Sequence, residues 1–240
     1  MCIRDRVDGK IRIDDEFDCE NGTYPYYDIV VRDHEPYQHL NFSQIIKHSS
    51  NIGVIKAMEL VGSNTLFKTA RDLGFGTPTN INLSGELSGK LHPIKNWSSV
   101  SLGQISMGYE VGVTAIQLAT AYCAIANGGY LLKPKIIKKI SNDKNITYFE
   151  NPIIIKRNIK KETSKYLLNA LNDVVLNGTG VKAKISGIQI GGKTGTGEIW
   201  NSDKNEYSKN DFVSSFASIF PINNPEYVLI VSIEAPSDYD

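Results

Sequence analysis

The chain has 240 residues, 41% of them apolar, which is material for one sizeable core, and its 26 basic residues cancel its 26 acidic ones. A zero net charge argues against nucleic acid as a partner, because counterion-release binding needs a basic face, and no run of about 18 apolar residues is present to span a bilayer. Cys2, Cys19 and Cys123 show neither metal nor redox spacing, and His34, His39, His48 and His92 fall in no ligand pattern such as H-E-x-x-H, so no metal and no cofactor are expected.

Residues 1–6 show neither capping nor period and carry no basic-then-apolar signal pattern. From Val7 to about Gln38 the text is polar, aromatic and irregular, with short β-like pieces such as Tyr27–Val31. Asn41 with Gln44 three residues on reads as a capping box opening a short helix through Ile45 and Ile46. After Ser49-Ser50-Asn51, the apolar residues Ile52, Ile55, Leu60 and Val61 predict a second helix stopped by Gly62, with Asn51 as a candidate cap. Ser63 is placed to cap a third, with Leu66, Phe67, Ala70 and Leu73 on one face.

Residues 75–113 are rich in Gly, Ser and Asn and read as a long loop region with short pieces. The clearest helix follows, with Thr114 and Gln117 closing a capping box and Asn127-Gly128-Gly129 ending it. Another amphipathic helix fits Ser164 to Leu176. The pattern then changes to β-formers: Ile188 and Ile190, Phe212 to Phe220, and Tyr227 to Ile233, with polar linkers over Asn201–Asn210 and Pro221–Pro225. Helices first and an antiparallel meander last predict an α+β domain.

Gly187 to Thr194 matches G-x-x-x-x-G-K-[ST] letter for letter. A phosphate loop must lead into a helix N-terminus, whose amides and dipole hold the anion. Two glycines and β-formers follow instead, so nucleotide is not expected. The same letters support a second reading: Lys193-Thr194-Gly195 on an edge-like strand, facing an upstream Ser-x-Asn junction, is a serine acyl-transfer arrangement. Two Ser-x-Asn triplets exist. Ser208-Lys209-Asn210 lies in a charged stretch read as a solvated loop, whereas Ser49-Ser50-Asn51 lies between two amphipathic helices.

Lys47 to Gly53, Leu73 to Gly76, Met107 to Thr114, Gln117 to Tyr122, Gly191 to Thr196 and Phe212 to Pro221 occur in the order of a known family. The chain resembles the transpeptidase domain of class B penicillin-binding proteins, of the cell-division or sporulation type. That resemblance implies an α+β fold, an antiparallel β-sheet flanked by helices with a mostly helical subdomain across a cleft. It implies a serine that attacks the D-Ala-D-Ala amide of a peptidoglycan stem peptide, forms an acyl-enzyme and passes the acyl group to an amine. Peptidoglycan stem peptides, β-lactams and membrane proteins of the division complex are the implied partners, and the bacterial periplasm or the outer face of the cytoplasmic membrane is the implied place.

Carried over residue by residue, the resemblance makes Ser49, Asn51 and Lys193 catalytic. Ser49 would relay a proton, Asn51 would hydrogen-bond a lysine or the substrate amide, and Lys193 would supply positive potential. Ser50, Thr194, Gly195 and Thr196 would contact substrate, the threonines through a carboxylate and the Thr196 amide as one arm of an oxyanion hole. The rival assignments are structural: Ser49 as a solvated junction residue, Gly191-Gly192 as a bulge, Trp97 and Tyr109 as packing. Rival functions are a serine β-lactamase, a β-lactam-sensing domain, or a non-catalytic scaffold of the same fold.

One element of the family is missing. No Ser-x-x-Lys precedes Ser49, and the only one in the chain is Ser141-Asn142-Asp143-Lys144, after Ser-x-Asn in a polar turn. The expectation is therefore a fragment truncated at both ends: residues 1–6 a leader foreign to the family, residues 7–240 a partial transpeptidase domain without nucleophile or membrane anchor, inactive by itself. Loss of the nucleophile helix is also expected to leave an apolar groove along the Thr114 and Ser164 helices.

Overall fold

A computed structural model describes residues 11–142, 146–201 and 206–236. The chain opens with strands β1 (Glu16–Asp18), β2 (Thr23–Tyr26), β3 (Ile29–Arg32) and β4 (His39–Asn41), then helices α1 (Phe42–His48), α2 (Asn51–Val61) and α3 (Ser63–Asp72). It continues through β5 (Lys90–Leu91), α4 (Ser101–Met107), β6 (Val111–Gly112), α5 (Ala115–Ala126), β7 (Tyr130–Leu132), β8 (Lys139–Ser141), β9 (Ile146–Phe149), β10 (Ile154–Arg157) and α6 (Lys161–Asn177). The last three strands are β11 (Gly191–Asn201), β12 (Glu206–Phe220) and β13 (Tyr227–Glu234). This is the α+β architecture the patterns imply.

β11, β12 and β13 form one antiparallel sheet in chain order, a meander. The other strands pair only two by two, and each pair fastens a loop rather than building a layer. Two apolar clusters hold the molecule together. One gathers Phe17, Tyr26, Phe42, Ile45, Ile52, Ile55, Met58 and Ile105 from β1, β2, α1, α2 and α4. The other joins Ala121, Ala124 and Ile125 of α5, Leu171 of α6 and Ile219 of β12.

Both expected capping boxes are present. Asn41 Oδ1 accepts from Gln44 N while Gln44 Oε1 accepts from Asn41 N, and Thr114 and Gln117 repeat the exchange. Gln117 does more than cap. It is fully buried, and its amide nitrogen donates to the carbonyls of Gly74, Thr77 and Ser88 at 3.3, 2.8 and 2.8 Å. One side chain therefore ties the start of α5 to the long loop that follows α3.

Several expectations need correction. Ser50, not Asn51, caps α2: its hydroxyl accepts from Gly53 N, and Asn51 is the first helical residue. Gly62 stands at the N-cap of α3 and Ser63 is already inside. The 75–113 region contains α4, whose seven residues are too short for a period to show. The first strand of the sheet begins at Gly191; Ile188 forms only an isolated bridge to Ile185 across a tight turn. Ser208–Asn210 lies within β12, because the hairpin keeps pairing past the polar residues. Gly191-Gly192 is no bulge, since its register runs on unbroken. A Cβ at Gly192 would meet the Phe216 ring at 2.4 Å, and one at Gly191 would meet Ile222 at 2.4 Å.

Along α5 and α6, Ile125, Leu171, Val174 and Val175 of the apolar stripes are buried, while Leu118, Tyr122, Leu167 and Leu168 are partly buried against the second cluster. Exposed apolar side chains occur on β13, where Tyr227, Leu229, Val231 and Ile233 lie at the sheet edge, and around β8 to β10, at Ile140, Phe149, Ile154 and Ile155 among others. Asp143 and Lys144 of the second motif lie outside the described residues, and Ser141 ends β8, exposed.

Replacing Gln117 with Leu should test the loop anchor. It leaves three carbonyls without their donor and removes half of a capping box, so urea denaturation should show a loss of about 2–4 kcal/mol. A loss below about 1 kcal/mol would mean that the loop does not depend on this side chain.

Candidate active site

Ser49, Ser50 and Asn51 occupy the sharp junction between α1 and α2. Ser49 ends α1 in the left-handed region, with φ 58° and ψ 40°. For a residue with a Cβ that conformation is unfavourable, and it persists only where surroundings fix it.

A carboxylate that sequence reading did not single out secures this junction. Asp33, just past β3, accepts from Ser50 Oγ at 2.5 Å, Asn51 N at 2.6 Å and Ile52 N at 3.0 Å. It thereby satisfies two amides at the N-terminus of α2, where the helix dipole also favours negative charge. Asn51 Nδ2 donates to Arg32 O at 3.0 Å, which leaves its Oδ1 as an acceptor. Ser50 is 2% exposed, and its hydroxyl serves Asp33 and Gly53 N. Its place in the structure is under the site, not on its surface.

Lys193 comes from the sheet. Its Nζ donates to Ser49 Oγ at 2.8 Å, joining residues 144 positions apart, and to Thr194 O at 3.0 Å. Burial takes the Lys193 ammonium down from its ordinary 10.5 to about 8. A base so lowered is partly neutral just above neutral pH, while its charged form still sets a positive potential in the cleft. Thr194 Oγ1 lies 2.8 Å from Thr179 Oγ1, a second residue that sequence reading missed. Thr179 follows α6 and its amide donates to Lys47 O at 3.4 Å, so the loop bridges α1 and β11. Thr196 is exposed on the same strand, and a Cβ at Gly195 would meet Ser215 Oγ at 2.7 Å.

The structure thus joins Ser49 to Lys193, with Asn51 two residues from Ser49 and Thr194 and Thr196 on the same strand as Lys193, and it buries Ser50 beneath them. Gly187 to Thr194 does not enter a helix: β11 continues to Asn201. Trp97 packs on the first apolar cluster, its Nε1 donating to His92 O, and Tyr109 meets Tyr207 edge-on. Among the described residues no group of His, Cys, Asp and Glu is arranged to hold a metal ion, and no helix is long and apolar enough to cross a membrane.

A family model, the penicillin binding protein transpeptidase domain, matches residues 7–240. The chain belongs to the penicillin-binding protein transpeptidase family. It is 36% identical over 197 residues to stage V sporulation protein D of Bacillus subtilis, covering 81% of this chain and 30% of that protein. It is 32% identical over 216 residues to the peptidoglycan D,D-transpeptidase FtsI homolog of Mesostigma viride, covering 83% of this chain and 36% of that protein. The crystal structure of penicillin binding protein 3 from Mycobacterium tuberculosis complexed with aztreonam superposes with a TM-score of 0.89 at 27% identity, covering 99% of this chain and 55% of that one. The transpeptidase domain of penicillin-binding protein 3 from Burkholderia pseudomallei gives 0.85 at 27% identity, covering 98% and 68%. The chain spans about a third of the length of these curated relatives.

Two measurements check the site. Because the folded pKa of Lys193 lies below its unfolded value, the folded state binds fewer protons between about pH 8 and 10.5. The cost of burying the ammonium is therefore full below pH 8 and is relieved as pH rises through that window. Lys193→Met should erase this contribution, so the stability of the unsubstituted protein relative to the variant should climb from pH 8 to 10.5; a flat difference would contradict the burial. Asp33→Ala should cost about 2 kcal/mol in the same assay, since three donors at the head of α2 lose their acceptor.

Proposed function

We propose that residues 7–240 form part of the transpeptidase domain of a class B penicillin-binding protein, with residues 1–6 standing outside it. The protein would cross-link peptidoglycan stem peptides through a serine acyl-enzyme during septal wall synthesis, on the periplasmic side of the cytoplasmic membrane and beside other membrane proteins of division. The observation that carries the reading is the Lys193–Ser49 hydrogen bond, which puts a cation from the sheet on a hydroxyl from the helical wall.

The chemistry follows from the donors and acceptors in the cleft. Ser49 Oγ accepts from Lys193, so its own proton is free to point toward a leaving amine, and its lone pair can receive a proton in return. Lys193 supplies positive potential that favours a substrate carboxylate and a deprotonated neighbouring lysine. Thr194, its hydroxyl paired with Thr179, can donate to that carboxylate while accepting from its neighbour, and exposed Thr196 offers a second hydroxyl and a strand amide. Asn51 uses its amide nitrogen on Arg32 O, so its role would be to accept from a lysine ammonium or the substrate's amide N–H. Ser50, buried, would position Asn51 and not touch substrate.

The names of the relatives, a sporulation protein and peptidoglycan D,D-transpeptidases, favour wall synthesis over β-lactam hydrolysis, sensing or a passive scaffold. The nucleophile would be a Ser-x-x-Lys serine carried by sequence other than residues 1–240. Fluorescent penicillin tests the whole reading. The full-length gene product should be covalently labelled, and Lys193→Ala within it should slow labelling about 100-fold or more. The 240-residue chain alone should stay unlabelled; labelling would place the nucleophile inside it, with Ser141 the first residue to substitute.

A further inference from the structure

β11 carries one more polar side chain along the cleft. Residues alternate faces on a strand, so Thr194, Thr196 and Glu198 share a face, opposite Phe216, Ser214 and Phe212 of β12. The register is unbroken as far as Glu198 and shifts only between Glu198 and Trp200. Two residues along a strand is about 7 Å, so the Glu198 carboxylate stands roughly that far beyond Thr196, toward the β11–β12 turn. It is half-buried, and among the described residues neither a hydrogen bond nor an ion pair engages it.

Two phenol rings meet near this end of β11, where Tyr207 of β12 pairs across from Trp200, two residues beyond Glu198. Tyr109, from the loop after α4, and Tyr207 of β12 meet edge-on, with centroids 5.3 Å apart and planes at 75°. Burial first, and then the Glu198 charge, push the Tyr109 hydroxyl upward. Glu110, the other acid nearby in sequence, already accepts from Ser101 Oγ at 2.6 Å.

A carboxylate near aromatic rings is suited to an ammonium group: the charges attract, and ring faces add a cation–π contribution. It is unsuited to a substrate carboxylate, which has the hydroxyls of Thr194 and Thr196. We infer that Glu198, with Tyr109 and Tyr207, forms the subsite for the amine-bearing acceptor strand, which makes Glu198 a specificity-determining residue for primary ammonium acceptors. This rests on the transpeptidase reading. In the transfer, the acceptor amine, having given its extra proton to solvent, uses its nitrogen lone pair to form the C–N bond to the acyl carbon. The ester C–O bond breaks, and one amine proton passes to the serine oxygen. Glu198 contributes no proton and no electrons; it concentrates and aligns the acceptor.

The full-length protein, acylated by a D-alanyl thioester donor, provides the test with two acceptors: a short peptide bearing a lysine side-chain amine, and hydroxylamine, uncharged at neutral pH. Glu198→Gln should raise the KM for the lysine peptide about five- to tenfold, while the hydroxylamine KM and the donor acylation rate change less than about twofold. Glu198→Asp should recover part of the loss. An unchanged lysine-peptide KM, or an equal rise for both acceptors, overturns the inference while leaving the transpeptidase reading intact. Failure of the unsubstituted full-length protein to acylate would remove the reading and the inference together.

Discussion

At Gly178 the backbone after α6 passes so close to α1 that a Cβ there would stand 2.5 Å from Lys47 O. α6 lies against both α1 and β11, and is therefore the element that relates the helical wall to the sheet. Only a residue without a side chain lets its C-terminal loop settle onto Lys47, where Thr179 N can bond the carbonyl and Thr179 Oγ1 can meet Thr194. The Lys193–Ser49 contact sits at the mouth of this seam. If the loop stood off by an ångström or two, a 2.8 Å hydrogen bond across the cleft would be lost before any core contact changed.

The second support comes from the opposite direction. Asp33 belongs to a small hairpin of β2 and β3, yet its carboxylate caps α2 as firmly as a residue of that helix. The Ser-x-Asn junction is thus gripped from below by Asp33 and from above by Lys193. The Lys47–Asp173 ion pair, at 3.4 Å and partly exposed, adds little to this by comparison.

Local signals in the sequence were legible and long-range ones were not. The capping boxes at Asn41 and Thr114 and the stop at Gly62 depend on residues three or four apart, and the structure has them. The meander was readable because β-branched and aromatic runs recur between polar linkers, though the strand start at Gly191 was hidden by glycines that exist for close packing. α4 is one of the short pieces of the 75–113 region, and its seven residues give less than two full periods, too few to mark it as a helix. Asp33 and Thr179 were missed for a different reason: the first is 17 residues from its partner Ser50 and the second 15 from Thr194, and no spacing rule connects them. Ser50 shares a motif with Ser49 and Asn51, but as the N-cap of α2, bonded to Asp33 and Gly53, it is buried.

Ser49 joins two demands that pull toward different amino acids. Its backbone sits in the left-handed region, where glycine is at ease and every branched side chain is crowded, while its side chain must carry a hydroxyl to Lys193. Threonine, the usual hydroxyl-for-hydroxyl exchange, would add a methyl group at the carbon that this conformation tolerates least. Glycine would relax the turn and discard the oxygen. Serine is the smallest side chain that satisfies both demands, so the position has almost no room for drift, and a variant retaining the same functional group should fail through backbone geometry before it fails through chemistry.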